Sequence, residues 1–167
     1  MNRALITAAA LAAAALGLGA CGFQPLYGAP GVTAQLNAVQ VSAPQGRTGQ
    51  LIREHLDDAL ARDKGAAPRY RMDVAVSETR YPRGLRVDNV ATRYEYVLTA
   101  AYTLIPIGGG APVKQGTARV EVTYDSADQP YASIAAQQDA QDRAAAECAR
   151  KIQLELAAWM ATQGKKS

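Results

Sequence analysis

Leu18-Gly19-Ala20-Cys21 sets a thiol directly behind a short run of small residues. Upstream stand Arg3 and an uncharged, Ala-rich apolar stretch from Ala4 to Leu18. A positive start, an apolar middle and a small-residue cleavage site make up a secretory signal. Such a signal needs no cysteine after the cut. A cysteine there fits a lipobox: the sulfur takes a diacylglyceryl group, the signal is removed before Cys21, and the new amine receives a third chain such as palmitate. The other readings are a plain signal with a chance cysteine and an uncleaved membrane span. The apolar run falls short of the ~20 residues a spanning helix needs. Each buried methylene contributes ~0.8 kcal/mol, so one acyl chain binds a bilayer marginally and two or three hold it durably.

The second group with chemical potential is a set of arginines. Arg80, Arg83, Arg86 and Arg93 fall within a short stretch that holds one acid, Asp88. Guanidinium groups grip phosphate oxygens through paired hydrogen bonds. The cluster could meet a phosphorylated ligand or an acidic protein surface, or it could be an ordinary solvated loop. Nothing else forms a reactive set. His55 is the single histidine, beside Leu56 in a helical pattern with no nucleophile near it in sequence. Cys148 sits on an apolar helical stripe and reads as a buried thiol. One histidine and one free thiol cannot assemble the usual zinc ligand sets. Gly108-Gly109-Gly110 lacks the Lys-Ser/Thr of a phosphate loop. The expectation is no catalytic residue, no metal and no cofactor.

The chain has 167 residues and a net charge of +3, too small a balance to indicate a nucleic-acid binder. Removing residues 1–20 leaves about 147, enough for one domain with one core. If Cys21 is acylated, Cys148 has no disulfide partner, and the core must supply the stability. Tyrosine outnumbers Phe and Trp eight to two, which suits half-wet surfaces and interfaces.

The elements that must carry these groups follow from periodicity. Residues 21–35 lack a period and read as a tether, and 36–163 as the domain. Leu36 to Ser42 alternates weakly as a first strand. Gln50 to Lys64 carries Ile52, Leu56, Ala59 and Leu60 at helical spacing, with Thr48 as N-cap and Gly65 as stop. Tyr70–Tyr81, Val90–Ile105 and Val113–Tyr124 alternate as strands of an antiparallel meander. Pro82-Arg83-Gly84 should end the first of these. About Ala132 to Ala161 is a long helix, and 164–167 a frayed tail. The predicted order is β-α-β-β-β-α. This is an α+β two-layer sandwich, with two helices on one face of a four-stranded, mostly antiparallel sheet.

Cys21-Gly22-Phe23-Gln24-Pro25-Leu26-Tyr27-Gly28 resembles the start of mature LptE proteins, in the shorter branch of that family. The resemblance implies the same two-helix, four-strand fold and a role without catalysis. It implies a lipoprotein tethered through Cys21 to the periplasmic face of the outer membrane. It also implies partnership with an LptD-type β-barrel, whose assembly it aids and which it plugs, and with lipopolysaccharide bound for the cell surface. No Asp follows Cys21, which agrees with sorting to the outer membrane. An auxiliary lipoprotein of an envelope ABC lipid-transport system would share the signal, the anchor and a small α+β domain. The partner recovered with the protein separates the two.

Overall fold

The computed structural model describes residues 31–85, 91–126 and 129–163. The elements run α1 (Val32–Asn37), β1 (Val39–Ser42), α2 (Arg47–Ala59), β2 (Tyr70–Leu85), β3 (Ala91–Pro106), β4 (Lys114–Asp125) and α3 (Pro130–Gln163). The α+β class and the four-stranded sheet agree with the sequence reading. The sheet order is β1-β2-β3-β4. The last three strands form the expected meander, with Tyr70 opposite Pro106 and Arg93 opposite Asp125. The short β1 lies parallel to β2, pairing only from Val39 opposite Tyr70 to Ser42 opposite Asp73.

Alternation sorts the faces. Met72, Val74, Tyr96, Leu98, Ala100, Tyr102, Leu104, Ala118, Val120 and Tyr124 point to one side and are buried there. Against them pack Ile52, Leu56 and Leu60 from the α2 segment and a small-residue stripe on α3. That stripe is Ala140, Ala144, Ala145, Cys148, Ala149, Ile152, Leu156 and Met160. Alanines bring a helix close to a sheet, which is how α3 covers it with few bulky groups. Polar ties lock the layers. His55 Nε2 meets Asp142 Oδ1 at 2.9 Å between α2 and α3. The Gln153 amide donates to the Ala59 carbonyl. Lys114 pairs with Glu155 at 2.5 Å between β4 and α3.

Four expectations need correction. The sequence pattern predicts a tether through residue 35 and a first strand from Leu36. Instead Val32–Asn37 is a helix, with Val32 and Leu36 buried in the core. Its spacing of i and i+4 is helical, but six residues are too few for periodicity to speak clearly. The result is a third helix. Thr48 is not the N-cap of α2: Gly46 holds that position and Thr48 lies in the first turn. Its hydroxyl instead donates to Glu78 Oε2 at 2.9 Å.

The stop of α2 also comes earlier than Gly65. Ala61 adopts φ of 48°. Its N–H bonds the Asp58 carbonyl, and the Arg62 N–H bonds the Asp57 carbonyl. These are the two bonds of a Schellman cap with alanine where glycine is usual. A left-handed conformation costs a non-glycine residue roughly 1–2 kcal/mol. Ala61→Gly should therefore stabilise the fold by about 0.5–1 kcal/mol after the entropy of glycine is deducted. Denaturant midpoints of the two proteins check this.

The fourth correction concerns Pro82-Arg83-Gly84, which does not break β2. The Tyr70 N–H points towards Ala38 on the β1 side, whereas Arg69 presents its carbonyl to Ile107 on the β3 side. Pro82 is in phase with Tyr70. Its nitrogen therefore faces an edge that β1, ending opposite Asp73, no longer covers. Proline is tolerated where no ladder bond is lost. The strand continues to Leu85, so Arg80 and Arg83 ride on β2 and Arg93 on β3 rather than on a loop.

Candidate functional site: the arginine-bearing end of the sheet

Cys21 and Arg86 lie outside the described residues. Of the other three arginines, the structure brings two together and separates the third. Arg83 on β2 stands directly opposite Arg93 on β3, on the sheet face away from the helices. Arg80, an odd number of residues from Arg83, projects to the helix face. Its Nη1 donates to Gln137 Oε1 of α3 at 2.8 Å. Its guanidinium lies 4.8 Å from the centroid of the Tyr94 ring, which stacks on Tyr124 at 5.6 Å. A cation over an aromatic face and a bond to the helix make Arg80 a brace between layers.

Like charges directly opposite on paired strands repel. Here each is answered by an acid. Arg83 Nη2 meets Glu95 Oε2 at 3.0 Å. Arg93 Nε meets Asp125 Oδ1 at 2.7 Å. The Asp125 hydrogen bond raises the Arg93 pKa and the Arg93 hydrogen bond lowers that of Asp125, with their mutual attraction adding in each case. The depressed carboxyl keeps the tie intact through neutral pH, and it is lost only as acid protonates Asp125. Both arginines stay open to solvent, at 56 % and 58 % side-chain exposure. A guanidinium has five N–H donors. Arg83 uses Nε and Nη2 and Arg93 uses Nε, so outward donors remain on both.

The count of Arg80 to Arg93 against Asp88 alone missed Glu95 and Asp125. Glu95 was two residues from Arg93 on the same face. Asp125 came in through the β3–β4 register, which a hairpin around residues 106–113 already implied. Tyr81 lies on this face, its ring 5.9 Å from the Arg83 guanidinium. The first turns of α3 lie at the same end, because Ser126 on leaving β4 bonds the Thr92 carbonyl and Ser133. Those turns expose Tyr131 and Ile134.

Sequence reading also passed over Glu78, which falls in the core phase of β2. Tyr96 and Thr48 both donate to its Oε2, at 2.5 and 2.9 Å. Burial first, and the Glu78 carboxylate second, push the Tyr96 phenol far above its usual pKa. A cavity of about 140 Å³ lies beside it, lined by Glu78, Arg80, Gln137 and Gln141. This is a hydrogen-bonding crevice between the sheet and α3, which Thr79 and Tyr96 also line.

Cys148 is buried, its sulfur 3.8 Å from the Ala118 carbonyl and 3.9 Å from that of Leu98. Burial pushes the thiol up to about 11. It should resist alkylation by iodoacetamide at pH 8 in the native protein and react fully once unfolded, as mass spectrometry would show. Among the described residues no three His, Cys, Asp or Glu side chains gather as a metal site. Among the same residues no helix is long and apolar enough to cross a membrane.

A family model described as LptE, lipopolysaccharide-assembly, matches residues 36–156. The chain belongs to the LptE family. LptE proteins are non-enzymatic lipopolysaccharide-assembly lipoproteins, so this chain acts in that process without catalysis. The crystal structure of a Caulobacter crescentus CB15 protein, assigned provisionally as a lipoprotein, is 52 % identical to it. The match covers 80 % of this chain and 97 % of that one, with a TM-score of 0.70. Lipoprotein B of Nitrosomonas europaea shares the fold at 15 % identity and a TM-score of 0.55, over 73 % of this chain and 83 % of its own. No curated protein matches the chain by sequence.

Proposed function

We propose that this LptE-family chain is the lipid-anchored subunit of a lipopolysaccharide translocon in the outer membrane. In this reading acylated Cys21 holds it to the periplasmic face. The domain sits in an LptD-type barrel, whose assembly it aids and which it plugs. The arginine-bearing end meets the phosphates of lipopolysaccharide. The observation that carries the reading is the family match across residues 36–156, joined to the lipobox ending at Cys21. The chemistry at the far end supports the ligand. Two exposed guanidiniums stand side by side with spare donors, each held in place by a carboxylate that a phosphate can outcompete. Tyr81, Tyr131 and Ile134 add exposed apolar area at that end for a barrel wall or acyl chains.

The division of the arginines sharpens the test. Arg83→Ser with Arg93→Ser should weaken lipopolysaccharide binding by purified protein about tenfold or more, since each charge-assisted contact is worth ~1.5–3 kcal/mol. Thermal stability should hardly change, because exposed ion pairs contribute ~0–1 kcal/mol each. Arg80→Ser should do the reverse and lower stability more than binding. Unchanged affinity in the double variant would remove the arginine end from the ligand site. Detergent extracts should yield the chain together with a large outer-membrane barrel. Recovery of inner-membrane transport components instead would favour an ABC-system auxiliary role.

A further inference from the structure

The end of the domain opposite the arginines carries the turn between β3 and β4, Pro106–Val113, and the described chain begins at that same end. Asn37 and Ala38, at the close of α1, bond to Asp63 and Arg69, and Arg69 in turn bonds Ile107 at the root of the turn. Gly31 lies a further six residues back along α1. The turn sequence PIGGGAPV holds no charge. Its flanking aliphatic side chains are turned outward, Ile107 at 43 % and Val113 at 40 % exposure. Beneath Ile107 is a shallow hollow of about 330 Å³ whose lining includes Ile105, Pro106 and the guanidinium-bearing Arg71.

We infer that, in the anchored chain before a barrel encloses it, this uncharged turn is a lipid-facing foot, with Ile107 and Val113 seated in the headgroup region of the phospholipid bilayer. The inference rests on acylation of Cys21. The ten residues from Cys21 to Gly31 span at most ~35 Å when fully extended. β2 alone runs ~50 Å from Tyr70 to Leu85 at ~3.3 Å per residue. An anchored chain therefore keeps the Ile107 end near the membrane and holds the Arg83 end away, unless the domain lies flat. Lying flat would press the sheet face of Arg71, Asp73, Glu95, Arg119 and Glu121 onto lipid, which is costly for charges. The foot has the composition of an interfacial contact, aliphatic tips on a turn without charge, while the Arg71 guanidinium behind it is held by Asp73 at 2.9 Å.

Single-cysteine probes test the orientation. Ile107→Cys and Tyr81→Cys would each be labelled with an environment-sensitive dye in the full acylated protein. Cys21 is then blocked and Cys148 is buried. Each protein is reconstituted into phosphatylethanolamine–phosphatidylglycerol vesicles, with and without nitroxide-bearing lipid. The expected result is a blue-shifted, strongly quenched dye at 107 and an unquenched dye at 81. Equal or absent quenching at the two positions, in protein that floats with the vesicles, overturns the foot and leaves the anchor standing. Protein that fails to float overturns the anchor and the foot with it. Shielding of the 107 dye only when the barrel partner is co-reconstituted makes the turn a protein contact, and the inference falls.

Discussion

Cys21→Ser, exported behind an ordinary cleavable signal in place of residues 1–20, should release the protein from the detergent phase of a Triton X-114 partition into the aqueous phase and abolish its labelling by palmitate. At ~0.8 kcal/mol per buried methylene, three acyl chains hold a protein in a bilayer for its lifetime, while removal of all of them leaves weak surface contacts. Ile107 and Val113 cannot substitute: fully buried aliphatic side chains contribute ~1.5–3 kcal/mol each, and only their tips are free. Among the described residues no helix offers an alternative membrane span. Phase partition is the right measure, because fractionation of whole envelopes would also report retention by a barrel partner. The folded domain should survive the change, as Val32, the first core residue described, lies eleven positions downstream. A serine variant that still partitions into detergent, or still incorporates palmitate, would falsify the anchor.

The meander was legible because nothing competes with alternation there: Tyr94 through Leu104 repeat every second residue without interruption. The last helix was legible from Ala145, Cys148, Ile152 and Leu156 in the same way. Where reading failed, a local rule was overruled by placement in the fold. Pro82 breaks a strand only if its missing N–H faces a neighbour, and whether it does depends on how short β1 is. Expecting a loop there hid the parity that sends Arg80 to the helices and Arg83 to solvent, although 70, 72, 74, 76, 78 and 80 share one phase. Glu95 and Asp125 were missed for a related reason: their partnership with the arginines crosses strands, and a count along the chain does not see it. The first helix was lost to brevity, and its two buried side chains become visible only once α3 is present to cover them.

Gly49→Ala should cost about 3 kcal/mol of stability, against the direction that helix propensity dictates. Gly49 lies inside α2, where alanine is normally preferred by ~1 kcal/mol. Here a Cβ would stand 2.0 Å from the Pro44 carbonyl oxygen and 2.9 Å from its carbon. Both are backbone atoms, so no side-chain rotation relieves the clash. Either the segment from Ala43 to Gly46 must move out or the first turn of α2 must lift. Lifting the turn strains the neighbouring Thr48–Glu78 bond and, through it, the Tyr96 hydroxyl that shares the same carboxylate oxygen. Moving the segment pulls on β1, whose four residues are held to the sheet by β2 alone. For a domain of this size the loss should lower Tm by roughly 10 °C. Gly108→Ala serves as the control: nothing lies within 4 Å of its Cβ, and its effect should stay within about 0.5 kcal/mol. Thermal melts of both variants in the Cys21→Ser background decide the matter. A Gly49→Ala protein as stable as its parent would mean that propensity, rather than the close approach of Pro44, governs this turn.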